Sequence, residues 1–276
     1  MYGYGFRAVN QKVFGGGGVL PVFNFGSVND LAFSVRKVNS SYTGDCMRIR
    51  RSTDNAELDV GFVSGDLDTS AISTFCGVDI GYVVNWYDQS GNNNDKSNST
   101  ASNQPIIYNN GFILRNGKPY ISASSTQYLY LASSYSQLNN ENYTFFMTYE
   151  KSTTGNQAVL LDVNNKYSWL DYGSNQYVIN QDTVSISSQY LANTLYLNNT
   201  ISDADVGTEI FRNGLSIGSR GQNSLGPINY GGIRYLPSNL FRTATILFSE
   251  FIWYKEDKTA DSLAMRDNIN AYYTIY

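Results

Sequence analysis

Hydrophobic and polar positions alternate in short runs along most of this chain, and the runs are separated by clusters of Asn, Gly and Ser. That is the pattern of half-buried β-strands joined by turns. The first clear strands are Cys46 to Arg51 and Glu57 to Phe62, followed by Gly81 to Tyr87. Later candidates are Pro105–Ile107, Tyr120–Ser122, Tyr128–Leu131, Tyr143–Tyr149, Ala158–Asp162, Tyr167–Leu170 and Gln176–Ile179. Thr194–Leu197, Thr208–Arg212, Leu215–Ile217 and Thr243–Tyr254 complete the set. Asn116-Gly117 and Asn213-Gly214 are hairpin signals, because both residues tolerate the positive φ of a tight turn. Phe251-Ile252-Trp253-Tyr254 is apolar on both faces and reads as a central strand. Three segments have helical spacing instead: Asn29 to Val38, Asp68 to Phe75 behind an Asp cap, and Thr259 to about Tyr272 with Leu263, Met265, Ile269 and Tyr273.

The expected fold is therefore all-β, a jelly-roll sandwich of two antiparallel sheets with a few short helices, one of them C-terminal. Residues 29–276 show no internal linker. Residues 1–28 differ: they hold the run Gly15 to Gly18 and, around it, Phe6, Phe14, Phe23 and Phe25. A flexible joint flanked by aromatic residues reads as an anchoring or oligomerising arm, with an edge strand on its own domain as the alternative.

Composition narrows the chemistry. The chain has 276 residues, 42% hydrophobic but only 15% charged, against roughly 25% in an ordinary domain. Asn, Ser, Thr, Gly and Tyr replace the charges, which gives an extracellular, surface-facing character. There is no histidine, so a Ser-His-Asp triad, a Cys-His dyad and a His-ligated zinc site are all excluded. Catalysis would have to use carboxylates, Tyr, Lys or a hard metal. Net charge is −4 and no basic cluster exists, which argues against nucleic acid. Arg48, Arg50 and Arg51 read as a salt-bridged strand facing Asp54, Glu57 and Asp59. No apolar run is long enough to span a membrane. The N-terminus lacks the charged start and apolar core of a signal peptide, which suggests release by lysis, as for virion proteins. Cys46 and Cys76 sit in apolar contexts and read as buried thiols or a single pair.

The segment Trp86-Tyr87-Asp88-Gln89-Ser90-Gly91-Asn92 delivers a carboxylate and amides from a strand end to a turn. It could hold a sugar, a cation or only its own backbone. Asp88 with Asn92 is thus a candidate glycan contact. Asp88 with Asp95 is a candidate Ca²⁺ ligand set, since oxygen ligands suit a hard cation. The alternative is a turn capped by the Asp88 carboxylate through the amides of Ser90 and Gly91.

Together with Ala32-Phe33-Ser34-Val35-Arg36-Lys37, Arg48-Ile49-Arg50-Arg51-Ser52-Thr53-Asp54-Asn55, Asn103-Gln104-Pro105 and Asn116-Gly117-Lys118-Pro119, this segment resembles the catalytic-domain family of α-L-arabinofuranosidase B. It resembles more closely the concanavalin A-like, laminin-G-type modules of tailed-bacteriophage structural proteins. The resemblance implies a jelly roll and, on the enzymatic side, retaining glycoside hydrolysis by two carboxylates. By that resemblance the nucleophile position falls near Ser168 or Trp169, with Asp171 the nearest carboxylate. The acid/base position falls at Gln222, beside Asn223. Trp169 and Tyr172 are candidate sugar-stacking residues. Glu150 and Glu250, at the ends of apolar runs, read as solvated. With both expected carboxylates replaced, the expectation is a non-enzymatic virion or fibre-type decoration protein, located on a particle or outside the cell. Its expected partners are other virion proteins, a second and third copy of itself, and glycans. A glycoside hydrolase and a secreted glycan-binding module are the alternatives.

Overall fold

A computed structural model describes residues 23–28, 30–124, 126–131, 142–152, 157–161, 167–172, 176–179, 182–186, 191–203, 205–221 and 245–276, those from 157 to 185 through the backbone alone. The first half contains β1 (Leu31–Ser34), β2 (Met47–Arg51), β3 (Glu57–Val60), a ribbon of β4 (Phe62–Val63) and β5 (Asp66–Leu67), helix α1 (Thr69–Cys76) and β6 (Ile80–Trp86). It continues with β7 (Lys96–Ser97), β8 (Ile106–Asn109), a ribbon of β9 (Leu114–Arg115) and β10 (Lys118–Pro119), β11 (Ile121–Ala123) and β12 (Tyr130–Leu131). The second half has β13 (Tyr143–Lys151), then a four-stranded sheet of β14 (Gln157–Leu161), β15 (Tyr167–Tyr172), β16 (Gln176–Ile179) and β17 (Asp182–Ser185). A meander of β18 (Tyr196–Asp203), β19 (Gly207–Arg212) and β20 (Leu215–Gly221) precedes β21 (Ile246–Tyr254) and helix α2 (Ser262–Tyr273).

All the pairings among these strands are antiparallel, and the architecture is a mostly-β jelly-roll sandwich. Strand β21 is its hub. It pairs with β13 along one edge and with β1 and β11 along the other, so the two ends of the chain close one sheet. Every residue of β13 and β21 is buried, as expected for strands covered on both faces. Aromatic contacts run through the core: Trp86 lies 5.6 Å from Phe33 and 5.7 Å from Phe248, and Phe145 stacks at 5.6 Å on Trp253, its cross-strand neighbour. Trp86 is fully buried, so truncation to Ala would cost about 3–5 kcal/mol.

The helical reading of Asn29 to Val38 is corrected by the structure. Leu31 to Ser34 form β1, and all four residues are buried because the strand pairs with β21 inside the sandwich. A strand buried on both faces shows no period of two, so its apolar positions imitate a helix face. Asp30 precedes this strand. Its carboxylate accepts from the amides of Gly26, Ser27 and Lys255, fastening the N-terminal segment to the end of β21. Helix α1 does begin behind Asp68, whose side chain accepts from the Ala71 amide at 2.9 Å. Both Asn-Gly turns have positive φ at each residue: 49° and 75° at Asn116-Gly117, 50° and 80° at Asn213-Gly214. These turns link β9 to β10 and β19 to β20. Helix α2 buries Met265, Ile269 and Tyr273 but leaves Leu263 61% exposed. Cys46 and Cys76 are free, buried thiols, and burial pushes both of their pKa values up.

Of the four arm residues, Phe6 and Phe14 lie outside the described residues. Phe23 is buried and Phe25 stacks on Tyr254 at 5.2 Å, so both pack on the chain's own sandwich.

Candidate functional site

The Asp88 turn is built from side chains that serve the backbone. One Asp88 oxygen accepts from the amides of Ala32 at 2.9 Å and Ser90 at 3.0 Å. The other accepts from the Ser90 hydroxyl at 2.7 Å and the Asn94 amide at 3.2 Å. The Ala32 bond ties the turn to β1, and the donors beyond Ser90 are Ala32 and Asn94 rather than Gly91. Asn92 donates to the carbonyls of Ser27 and Asp30, and Asp95 accepts from the Asp88 amide. Gln89 accepts from the Val38 amide and donates to the Ser34 and Arg36 carbonyls. Burial raises the Asp88 pKa, and the donors around it pull the other way. Among the described residues no group of three or more acidic or thiol side chains is placed to hold a metal ion.

The basic strand also resolves into structural contacts. Arg48 grips Asp59 with two bonds of 2.8 and 2.6 Å, and Arg51 does the same to Asp54. Arg50 turns inward, donating to Gln104 and Asn55 with its guanidinium over the Tyr82 ring.

Glu150 and Glu250 are not solvated, contrary to the expectation from their positions. Glu250 is fully buried and takes both bonds of Arg36 at 2.8 and 2.9 Å, the Ser34 hydroxyl at 2.7 Å and the Tyr273 hydroxyl at 3.2 Å. Arg36 also donates to Asn268 at 2.7 Å. Burial by itself would lower the Arg36 pKa, but Glu250 more than offsets it and the net shift is upward. Glu150 accepts two bonds of 2.6 Å from Arg115. A carboxylate held bidentate by a guanidinium is poorly suited to attack carbon or release a proton.

The segments marked by the resemblance lie elsewhere. Ser168, Trp169, Asp171 and Tyr172 are all on β15, in the four-stranded sheet. The register sets Asp171 opposite Gln157 on β14 and Tyr177 on β16, and Tyr172 opposite Gln176. Gln222 and Asn223 lie outside the described residues. They directly follow β20, against which β17 of the same small sheet packs. Strand β15 itself is two strands away from β17 in the small sheet.

A polar cluster that sequence reasoning missed lies where β13, β18 and β19 pair. Lys151 ends β13 just before the small sheet begins, and Asn198 of β18 is in register with Arg212 of β19. The Asn198 amide donates to the Tyr149 hydroxyl at 3.3 Å, and the Arg212 guanidinium lies 5.2 Å over the Tyr196 ring. Lys151 is buried, and burial together with the Arg212 charge pulls its pKa down to about 8. The signal in the sequence was a Lys closing an apolar run at Tyr149-Glu150-Lys151. Tyr149, Lys151, Tyr196, Asn198 and Arg212 are all buried, so the cluster belongs to the interior rather than to an open surface.

A sandwich with this strand order is a fold shared with known glycosidases. Solved structures with it include a GH54 α-L-arabinofuranosidase soaked with a cyclic sulfate inhibitor, at TM-score 0.62 and 16% identity. Another is an arabinofuranosidase complexed with arabinofuranosyl-alpha-1,2-xylobiose, at TM-score 0.59 and 16% identity. Each match covers 88% of this chain and 62% of the other, so the chain spans about three-fifths of the length of those proteins. At such identity the likeness speaks for the fold alone. A search of curated proteins finds no match.

The family follows from the sequence itself. The family described as "Alpha-L-arabinofuranosidase B, catalytic" matches residues 31–183, more than half of the chain, and the chain belongs to it. This overturns the expectation of a non-enzymatic virion or decoration protein. The matching family is that of an enzyme's catalytic domain, and the structural matches above are to hydrolases rather than to particle proteins. The resemblance to arabinofuranosidase B stands, and the closer likeness to phage modules finds no support among these matches.

Proposed function

We propose that this chain is a glycoside hydrolase domain that cleaves α-L-arabinofuranosyl linkages, with Asp171 as its nucleophile. The observation that carries this reading is the family match over 31–183, a span that includes β15 with Asp171. In a retaining reaction the carboxylate attacks the anomeric carbon, the glycosidic C–O bond breaks, and an ester to the enzyme forms. A second residue protonates the departing oxygen, and water then cleaves the ester to free the sugar and the carboxylate.

By the resemblance, Gln222 takes the place of the proton donor, and an amide has no proton of suitable acidity to give. The leaving group must then depart unassisted. Proton transfer of this kind contributes about 10²- to 10⁴-fold, so substrates with good leaving groups are favoured by that order. The test is release of nitrophenol from 4-nitrophenyl α-L-arabinofuranoside and of arabinose from arabinoxylan. The aryl substrate should turn over faster by about 10²-fold or more, and Asp171→Asn should abolish both reactions. No release from the aryl substrate, or an Asp171→Asn variant as active as the wild type, would overturn the reading.

A further inference from the structure

A cavity of about 510 Å³ lies between the first turn of α2 and the sheet of β18, β19 and β20. That volume is within the range of small-molecule sites, about 300–1,000 Å³. Ile201, Glu209 and Ser219 form one cross-strand row in its wall, by the register of the three strands.

Arg266 of α2 is the most telling residue. It is 8% exposed, its guanidinium lies 4.6 Å over the Phe211 ring, and one terminal nitrogen donates to the Gly214 carbonyl at 3.1 Å. Its Nε–H has no hydrogen-bond partner. That nitrogen is sealed from solvent, while the rest of the Arg266 side chain forms part of the cavity wall. Acceptors are already at hand on the protein side. Glu209 uses one carboxylate oxygen on the Ser216 hydroxyl at 2.6 Å, and Asp203 accepts from the amides of Asp205 and Val206. The apolar wall comes from Phe211 and from Leu263 and Val206, which are 61% and 75% exposed.

Among the described residues the lining holds two guanidinium groups, of Arg266 and Arg220, and two carboxylates, of Asp203 and Glu209. That balance favours neither an anion nor a cation. It suits a neutral polyol, whose vicinal hydroxyls accept from an arginine while donating to a carboxylate and whose C–H face rests on apolar carbon. We infer that this cavity is a second glycan-binding site, for a neutral oligosaccharide chain, separate from the sheet that carries Asp171. Its existence does not depend on hydrolysis. It would hold a polysaccharide against the domain without acting on it.

The test is native affinity electrophoresis of the full chain in gels containing soluble arabinoxylan. The wild type should be retarded. Leu263→Arg, at an exposed helix position, and Glu209→Gln, on an exposed strand face, should each weaken retention by about tenfold, the worth of roughly one good hydrogen bond. Arg266→Met should weaken it further, with circular dichroism to confirm the fold. Nitrophenol release from the aryl arabinofuranoside should be unchanged in Leu263→Arg and Glu209→Gln. Asp171→Asn should remain fully retarded. Retention lost in the cavity variants of a chain that hydrolyses nothing would support this site and sink only the hydrolase reading. A wild type that is not retarded, or cavity variants retarded as strongly as wild type, would overturn the inference.

Discussion

Glu150 and Glu250 sit on the paired strands β13 and β21, and each is gripped by an arginine through two bonds. Their surroundings differ. Arg36 and Glu250 have side chains 5% and 0% exposed, whereas Arg115 remains 39% exposed above Glu150. Coulomb attraction is stronger in the dry pair, but so is the cost of removing both charges from water. The inner pair is therefore best understood as obligate. Its net worth against a well-packed apolar pair is small, while the cost of breaking it is large. The outer pair keeps access to water, so losing its arginine leaves a carboxylate that solvent can reach. The same motif thus has different consequences at two depths, and in both places the carboxylate is taken up by structure.

The sharpest break in that comparison is Arg36→Met. It should destabilise the fold by about 3–5 kcal/mol, measured by urea unfolding, because Glu250 is left charged and buried. The double variant Arg36→Met with Glu250→Leu should recover most of that loss. If the double variant is no better than the single one, the pair stabilises the fold outright.

Lys151, on the same strand as Glu150, adds a buried cation whose pKa is lowered by burial and by the charge of Arg212. Its pKa is about 8 in the folded chain against 10.5 for the free side chain. Between those values the unfolded chain binds more protons, so this residue's contribution to stability rises with pH. Below pH 8 its charging penalty is present in full. The stability of wild type relative to Lys151→Met should therefore rise by about 2 kcal/mol between pH 8 and 10.5. A flat difference would mean that Lys151 keeps an ordinary pKa.

Arg115→Met should cost only about 1–2 kcal/mol, between the buried and the exposed limits. The smallest effect is expected at the surface pair of Arg48 with Asp59, whose side chains are both 37% exposed. Arg48→Ala should cost less than about 1 kcal/mol in a thermal melt, and the difference should fade in high salt. A loss as large as that of Arg36→Met would contradict the argument from depth.

Much of the fold was legible in the sequence, because its turns and amphipathic elements carry local signals. The Asn-Gly hairpins, the Asp68 cap and the face of Met265, Ile269 and Tyr273 on α2 all depend on residues close together along the chain. β1 was illegible because all four of its residues are buried, and only its pairing with β21, more than two hundred residues away, explains that. Strand β17 was missed for a related reason, as Asp182-Thr183-Val184-Ser185 has a single strongly apolar residue. The Arg36–Glu250 pair spans a similar distance and gave no local sign. At the candidate site, the motif around Asp88 drew the eye because acidic and amide residues cluster there. Its oxygens meet the chain's own amides, a fact set by the approach of Ala32. The cluster of Lys151, Asn198 and Arg212 needs three strands in register and has no motif at all. The cavity beside Arg266 likewise exists only where α2 packs on the meander.

With both buried glutamates engaged by arginines, the proposed nucleophile is Asp171 on the small sheet, and covalent labelling tests that role most directly. The full chain would be incubated with an arabinofuranose-configured mechanism-based inhibitor, and its intact mass and peptide map measured. A single adduct is expected at Asp171, absent from Asp171→Asn. No adduct, or an adduct on another carboxylate, would contradict that role.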